Sequence, residues 1–355
     1  MRIQACHVAL AAALLCCGTA AAASWNTARW QAAYIAIPPP PDSLEHAARM
    51  IGPVRDDNGN LNLGIVDPAL LKSHADVQAG LAAIERSSAS GQALNQGAQA
   101  AGIDIARMQR DPAYAQQMQQ KMASMSDAEK MRMAMQFNSA FQHSQQQAIT
   151  RNPQGMRAGI ELVGDTAQTA QKTQALHSRI SQRIMAIDQQ YDGQHQAIDA
   201  ELQAALKACP ATYQCGEAGC SPDPRCVNAL NARVPGIIGR HRELAEAELA
   251  DVRKLYAEAR TTQQPLIART AQLTTAAETA GTDTDKLNSG YTSIGGESVW
   301  LQSLTARAAL HAGYWAGIQP RKIDDSFFHS GNLGYHYVLS ADAQAYSPPD
   351  VPKGW

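Results

Sequence analysis

The chain has 355 residues, with 30 basic against 32 acidic side chains and a formal net charge of −2. So even a balance leaves no electrostatic footprint for nucleic acid or for an anionic membrane surface. Only four phenylalanines accompany abundant alanine and glutamine, a composition suited to helix–helix contacts through small side chains rather than to a thick aromatic core.

The N-terminus, residues 1–23, reads as a secretory signal peptide. Arg2 gives a short positive start, Val8 to Cys17 is apolar, and the small residues Thr19 to Ala23 precede Ser24. The apolar run is too short to cross a bilayer. Leucines, not small residues, precede Cys16 and Cys17, which argues against a lipoprotein site. Cleavage after Ala22 or Ala23 removes Arg2, Cys6, Cys16 and Cys17, takes the net charge to −3 and leaves four cysteines. The mature chain is therefore expected in the periplasm or outside the cell, without a transmembrane helix. An even cysteine count in an exported chain argues for disulfides.

Residues 24–66 form a proline-containing segment. Trp25, Trp30 and Tyr34 suggest a short helix before Pro38 to Pro41, which read as a stiff polyproline spacer. A second short helix is expected from Asp42-Ser43 to Met50, stopped by Gly52-Pro53. Asn58-Gly59, with Leu61, Leu63 and Ile65 alternating beyond it, predicts a β-hairpin. The oxygens of Asp56, Asp57, Asn58 and Asn60 lack the glycine position and closing glutamate of a calcium loop.

Residues 67–150 are read as helical. Asp67-Pro68 and Asp111-Pro112 each place an N-cap before a proline in the first turn, and Ser126 with Glu129 forms a capping box. The first helix carries Leu70, Leu71, Val77, Leu81 and Ile84 and breaks at Ser87 to Gly91. Met118, Met122 and Met125 share one helix face, and Met131, Met133 and Met135 follow, before Phe137 and Phe141. Two readings compete for these methionines. One is an adaptable apolar packing or contact surface. The other is a thioether set for Cu(I), with the six methionines as ligands and His143 the imidazole close by.

Residues 151–281 are the centre of the chain, a long antiparallel helical hairpin. In its first arm Ile180, Ile184, Ile187, Tyr191, Ile198 and Leu202 keep a heptad whose skipped seam position is Gln194. In the second, Ala245, Leu249, Val252, Tyr256, Ala259, Gln263, Leu266, Thr270, Leu273 and Ala277 alternate steps of four and three, which calls for a left-handed coiled coil. Arms of about 40 residues span roughly 60 Å. Arg242 with Glu246 and Lys254 with Glu258 are expected as exposed pairs, and Pro265 as a kink. The seam is rich in alanine and polar residues, so a third helix from 67–150 or 296–318, or a second copy of the chain, is expected to buttress it. Between the arms the cysteines are spaced Cys-x5-Cys-x4-Cys-x5-Cys, unlike the close ligand pairs of a zinc site. Of three possible pairings, the nested one fits a hairpin tip: Cys209 with Cys226 and Cys215 with Cys220.

Residues 282–355 are read as a polar, glycine-bearing loop from Thr282 to Gly296, a helix from Glu297 to Ile318, a small hairpin around Gly331-Asn332 and an extended tail with Pro348, Pro349 and Pro352. Asp324, Asp325, His329 and His336 crowd together without a ligand spacing. His177, His195 and His241 are assigned to separate surface or seam positions, too far apart for one site. No phosphate loop, nucleophile elbow or His-Glu-x-x-His pattern occurs, and no cofactor is implied.

The expected fold is thus mainly α: an elongated helical bundle built on a long antiparallel coiled-coil hairpin with a disulfide-closed tip, and small irregular or β-hairpin segments near both ends. The expected function is that of an exported helical scaffold or protein-interaction protein of the bacterial envelope, akin in make-up to secretion-machine components and periplasmic holdases. It would contact a protein partner or a second copy through its helical surfaces. The alternative is a periplasmic metal-binding protein that uses the methionines for copper.

Overall fold

A computed structural model describes residues 25–55, 59, 61–87, 99, 104, 107, 111–126, 128, 129, 131, 132, 135, 139, 152–216, 219–320, 335–338 and 345–346. The segments read as signal peptide, acidic turn, His143 and tail prolines lie outside these residues. In chain order the elements are α1 (Thr27–Ile35), α2 (Leu44–Met50), β1 (Ile51–Arg55), β2 (Leu61–Ile65), α3 (Pro68–Ser87), α4 (Pro112–Ser124), α5 (Pro153–Lys207), β3 (Ala211–Gly216), β4 (Gly219–Pro222), α6 (Pro224–Thr279), α7 (Thr284–Gly317), β5 (Ile318–Pro320), β6 (Tyr335–Val338) and β7 (Ala345–Tyr346). The protein is mainly helical.

Helix starts follow the local chemistry. Asp67 Oδ1 accepts from Leu70 N at 2.7 Å, Asp111 Oδ1 accepts from Tyr114 N at 3.1 Å, and Ser126 and Glu129 exchange the two bonds of a capping box. β1 and β2 pair antiparallel, and Gly59 between them sits at φ 83°, a left-handed conformation that suits glycine. The proline run is no free spacer. Pro40 and Pro41 are buried, and the Pro38 carbonyl accepts from Thr305 Oγ1 of α7 at 2.8 Å.

α5 and α6 run antiparallel: Arg233 and Arg240 meet Glu201, Tyr191 meets Asp251, Arg183 meets Glu258, and Arg269 meets Asp165. They have 55 and 56 residues, longer than the heptads alone suggested, and span about 80 Å. α6 continues as helix through both Pro235 and Pro265. At the base, α6 ends in a Schellman turn. Gly281 adopts φ 65°, Thr282 N donates to Ala277 O at 2.9 Å, and Gly281 N donates to Glu278 O at 3.0 Å. Asn152 joins the two helix ends: its Oδ1 caps Gly155 N, while its Nδ2 donates to Ala280 O (2.6 Å) and Gly281 O (3.1 Å).

Three sequence expectations change. Residues 284–296 are not loop but the first half of α7, which starts at the N-cap Asp283. The glycines that argued against a helix are contact points. A Cβ on Gly290 would lie 2.3 Å from Thr274 Oγ1, and one on Gly295 within 3.0 Å of Leu81 and Trp30. Close packing outweighs propensity there. Second, Arg242 and Lys254 do not make the expected pairs. Arg242 Nη2 donates to Ala316 O (3.2 Å) and Ile318 O (2.8 Å), closing the C-terminus of α7, and Lys254 pairs with Asp251. Third, Gln194 is exposed and His195 buried, so the seam passes through His195.

The helix expected to buttress the hairpin is α7. It lies against both arms, and α1 and α3 pack on it in turn. One apolar cluster joins Trp30, Tyr34 and Val77 to Leu176, Ile180, Leu255, Ile294 and Leu301. A second runs toward the tip through Ile198, Leu202, Leu206, Leu230 and Val234. At the C-terminal end, β6 pairs antiparallel with both β5 and β7, and the Gly331-Asn332 turn expected from the sequence lies outside the described residues.

Candidate functional site

Three places concentrate polar chemistry: the tip and two clusters buried between α5, α6 and α7. At the tip Cys209 is bonded to Cys226 and Cys215 to Cys220, around the antiparallel pair β3–β4. Cys209 is buried beside Leu206 and Leu230, whereas Cys215 and Cys220 are exposed. Replacing Cys209 and Cys226 together by alanine should therefore cost about 3 kcal/mol, and replacing the shorter inner bridge about 2 kcal/mol, by the loop-length dependence of chain entropy. Urea melts under non-reducing conditions measure both. Graded reduction should open the exposed Cys215–Cys220 bridge first.

Met118 is buried on α4, Met125 is half-buried, and Met131 and Met135 are 66% and 60% exposed. Met122 falls within α4, and Met133 lies outside the described residues. Of the crowded C-terminal set, Asp324, Asp325 and His329 lie outside them too, and His336 falls in β6. Among the described residues no group of three or more His, Cys, Asp or Glu is arranged to hold a metal ion.

The first buried cluster overturns the assignment of the histidines to separate places. His195 of α5 and His241 of α6 lie with Nδ1 against Nδ1 at 2.6 Å, and only 4% and 1% of each is exposed. Their rings are nearly coplanar, at 10°, with centroids 4.9 Å apart. The indole of Trp315, from α7, covers both, at 4.1 and 4.6 Å and within 8° of parallel. His241 Nε2 meets Asp199 Oδ1 at 3.0 Å, which places a proton on that nitrogen. In the neutral pair His241 Nδ1 is then the acceptor and His195 Nδ1–H the donor, leaving His195 Nε2 buried without a partner. Burial, and next the adjoining His241 and His311, push the His195 imidazole down to about 4 against the pull of Asp199. His311 sits 2.9 Å from Glu248. Burial pulls His311 down, but Glu248, Asp192 and Asp188 outweigh it and hold its pKa above the ordinary range. Arg307 pairs with Asp188 alongside.

The second cluster is a chain of bonds through the middle of the bundle. Tyr34 O–H donates to Gln263 Oε1 at 2.8 Å, Gln263 Nε2 donates to Glu297 Oε2, and His177 Nε2 meets the same oxygen at 2.8 Å. Trp300 stacks on His177 at 3.9 Å, and the Arg260 guanidinium lies 4.2 Å over the Tyr34 ring. Burial raises the Tyr34 phenol to about 12, so it stays protonated as the donor. Gln263 and Glu297 are 0% and 6% exposed. A carboxylate–histidine pair of this kind can orient a base, but among the described residues no hydroxyl or thiol is bonded to His177.

An open groove of about 680 Å³ between the start of α2 and α6 carries Asp42 and Glu246 beside Arg253 and Lys254, with no convergent catalytic set. No protein-family model, curated protein or solved structure matches this chain.

Proposed function

We propose that the protein is an exported helical scaffold of the bacterial envelope that works by contact with a protein partner or a second copy of itself. The observation that carries this reading is the direction of its chemistry. Its histidines, acids and amides at the helix contacts bond to one another inside the bundle, while the far end of the hairpin is a small, doubly bridged tip bearing Tyr213, 44% exposed. A stapled, rigid loop with an exposed aromatic ring suits recognition, because little conformational entropy is lost on binding. The alternating four-and-three spacing supports a supercoiled pair of arms as the stalk beneath it.

The test places a photoreactive amino acid at position 213 or, as control, at the exposed Lys172 of α5, in cells that export the chain. A single adduct of defined mass from position 213 and none from 172, lost when Cys209 and Cys226 are replaced, is the expected result. No adduct at 213, together with a monomer at all concentrations in sedimentation, overturns the proposal.

A further inference from the structure

The His195–His241 contact has a property that neither imidazole has alone. At 2.6 Å, two Nδ1 atoms can share one proton but cannot both carry one, since two N–H groups would then point at each other. His241 already holds a proton on Nε2 against Asp199. The pair is therefore closed when neutral or singly protonated and sterically opposed when both imidazoles are charged. What it closes is specific. His195 belongs to α5, His241 to α6, and the ring lying across both is Trp315, two residues before the end of α7.

We propose that the His195–His241 pair is a proton-operated latch. In the neutral range it fastens the last turns of α7 to the hairpin, and acid, by charging both imidazoles, releases that end of α7. This does not depend on the partner reading above.

The charged and titratable groups around the latch come from all three helices. α5 contributes Asp188, Tyr191, Asp192 and Asp199; α6 contributes Glu248, Asp251 and Arg242; α7 contributes Arg307, His311 and Tyr314. Asp199, the acid that pulls on His195, is already engaged with His241 Nε2, and farther along the helices Asp188 pairs with Arg307 and Glu248 with His311. His311 takes up its proton first and adds to the repulsion that His195 meets. His195 has no free carboxylate to receive its Nε2–H, because that atom is buried without a partner.

The sign follows from linkage. The folded-state value of His195 lies below the ordinary histidine value of about 6.5. The latch is thus intact above about 6.5, weakens as the pH falls toward about 4, and changes little below that. A gap of this size caps the shift in the opening equilibrium at about 300-fold.

The test is hydrogen–deuterium exchange on the full disulfide-bonded chain at pH 7 and pH 4, corrected for intrinsic rates. Residues 304–317 should exchange at least tenfold faster at pH 4, while residues 284–297 of the same helix change little. In His195→Asn, whose amide can donate to His241 without titrating, the acid effect at 304–317 should vanish. Equal protection of 304–317 at both pH values in the wild type, or the same acceleration in His195→Asn, overturns the latch. Should that variant fail to fold, the carbon-13 titration of the His195 imidazole in the wild type decides. A midpoint well below 6.5, coincident with loss of α7 protection, supports the latch, and an ordinary midpoint without that loss overturns it.

Discussion

Trp30→Ala should destabilise the protein by about 3–5 kcal/mol in urea unfolding, the range for deleting a fully buried aromatic ring. Trp30 is 0% exposed and stands where α1, α3 and α7 meet. Its ring approaches the backbone of two helices so closely that both carry glycine. A Cβ on Gly80 would come within 2.7 Å of the indole, and one on Gly295 within 2.9 Å. Gly80→Ala alone should therefore cost about 1–3 kcal/mol through overpacking. In the Trp30→Ala background the same change should cost far less, because the clashing ring is gone and alanine is the better helix former. A coupling of at least about 1 kcal/mol between the two sites is expected from the double-mutant cycle. Simple additivity would mean that Trp30 does not hold α3 and α7 at this spacing.

Glu297→Ala should cost a similar amount, about 3–5 kcal/mol, for a different reason. Its carboxylate accepts from Gln263 Nε2 and meets His177 Nε2, while Gln263 Oε1 separately accepts from Tyr34, so one truncation leaves a buried donor on α6 and breaks the ties of α7 to both α5 and α6. Glu297→Gln keeps an acceptor oxygen and should cost only about 1–2 kcal/mol. Thermal or urea unfolding of both variants separates the two effects. Equal losses would mean that the charge, and not the acceptor, holds the chain of bonds together.

Much of the architecture is written in short-range chemistry and could be read directly. Asp67, Asp111 and Ser126 cap the helices they introduce because capping involves residues three apart. Two long helices with a disulfide-bridged tip between them follow from the apolar spacing of the arms and from four clustered cysteines. The first half of α7 was illegible because its glycines lower helix propensity, and their compensation lies in Thr274, Leu81 and Trp30, residues far away in the chain. His195 was missed by counting strict alternate steps of four and three, which lands on Gln194; a step of four from Tyr191 reaches the residue that faces His241. A signal for the buried pair was present all the same. Cys209–Cys226, Cys215–Cys220 and His195–His241 are all centred within one residue of position 218, so the cysteine pairing already sets which residues of the two arms face each other. The Tyr34–Gln263–Glu297–His177 chain had no such marker, since its members come from four helices with no common spacing.

The Asn152 junction at the base of the hairpin bears on how the molecule can carry a mechanical signal. Helix pairs can relay motion by shearing, one helix advancing along the other by a heptad, about 10 Å. Here Asn152 and Thr282 tie α5 to the α6 terminus at one end, and the Cys209–Cys226 bond ties them at the other. Both ends of the pair are pinned, so sliding would tear one anchorage or the other. A load applied at the tip is carried to the base as bending or rotation of a single strut. The helix free to respond is α7, which is joined to this strut by non-covalent contacts and one short turn.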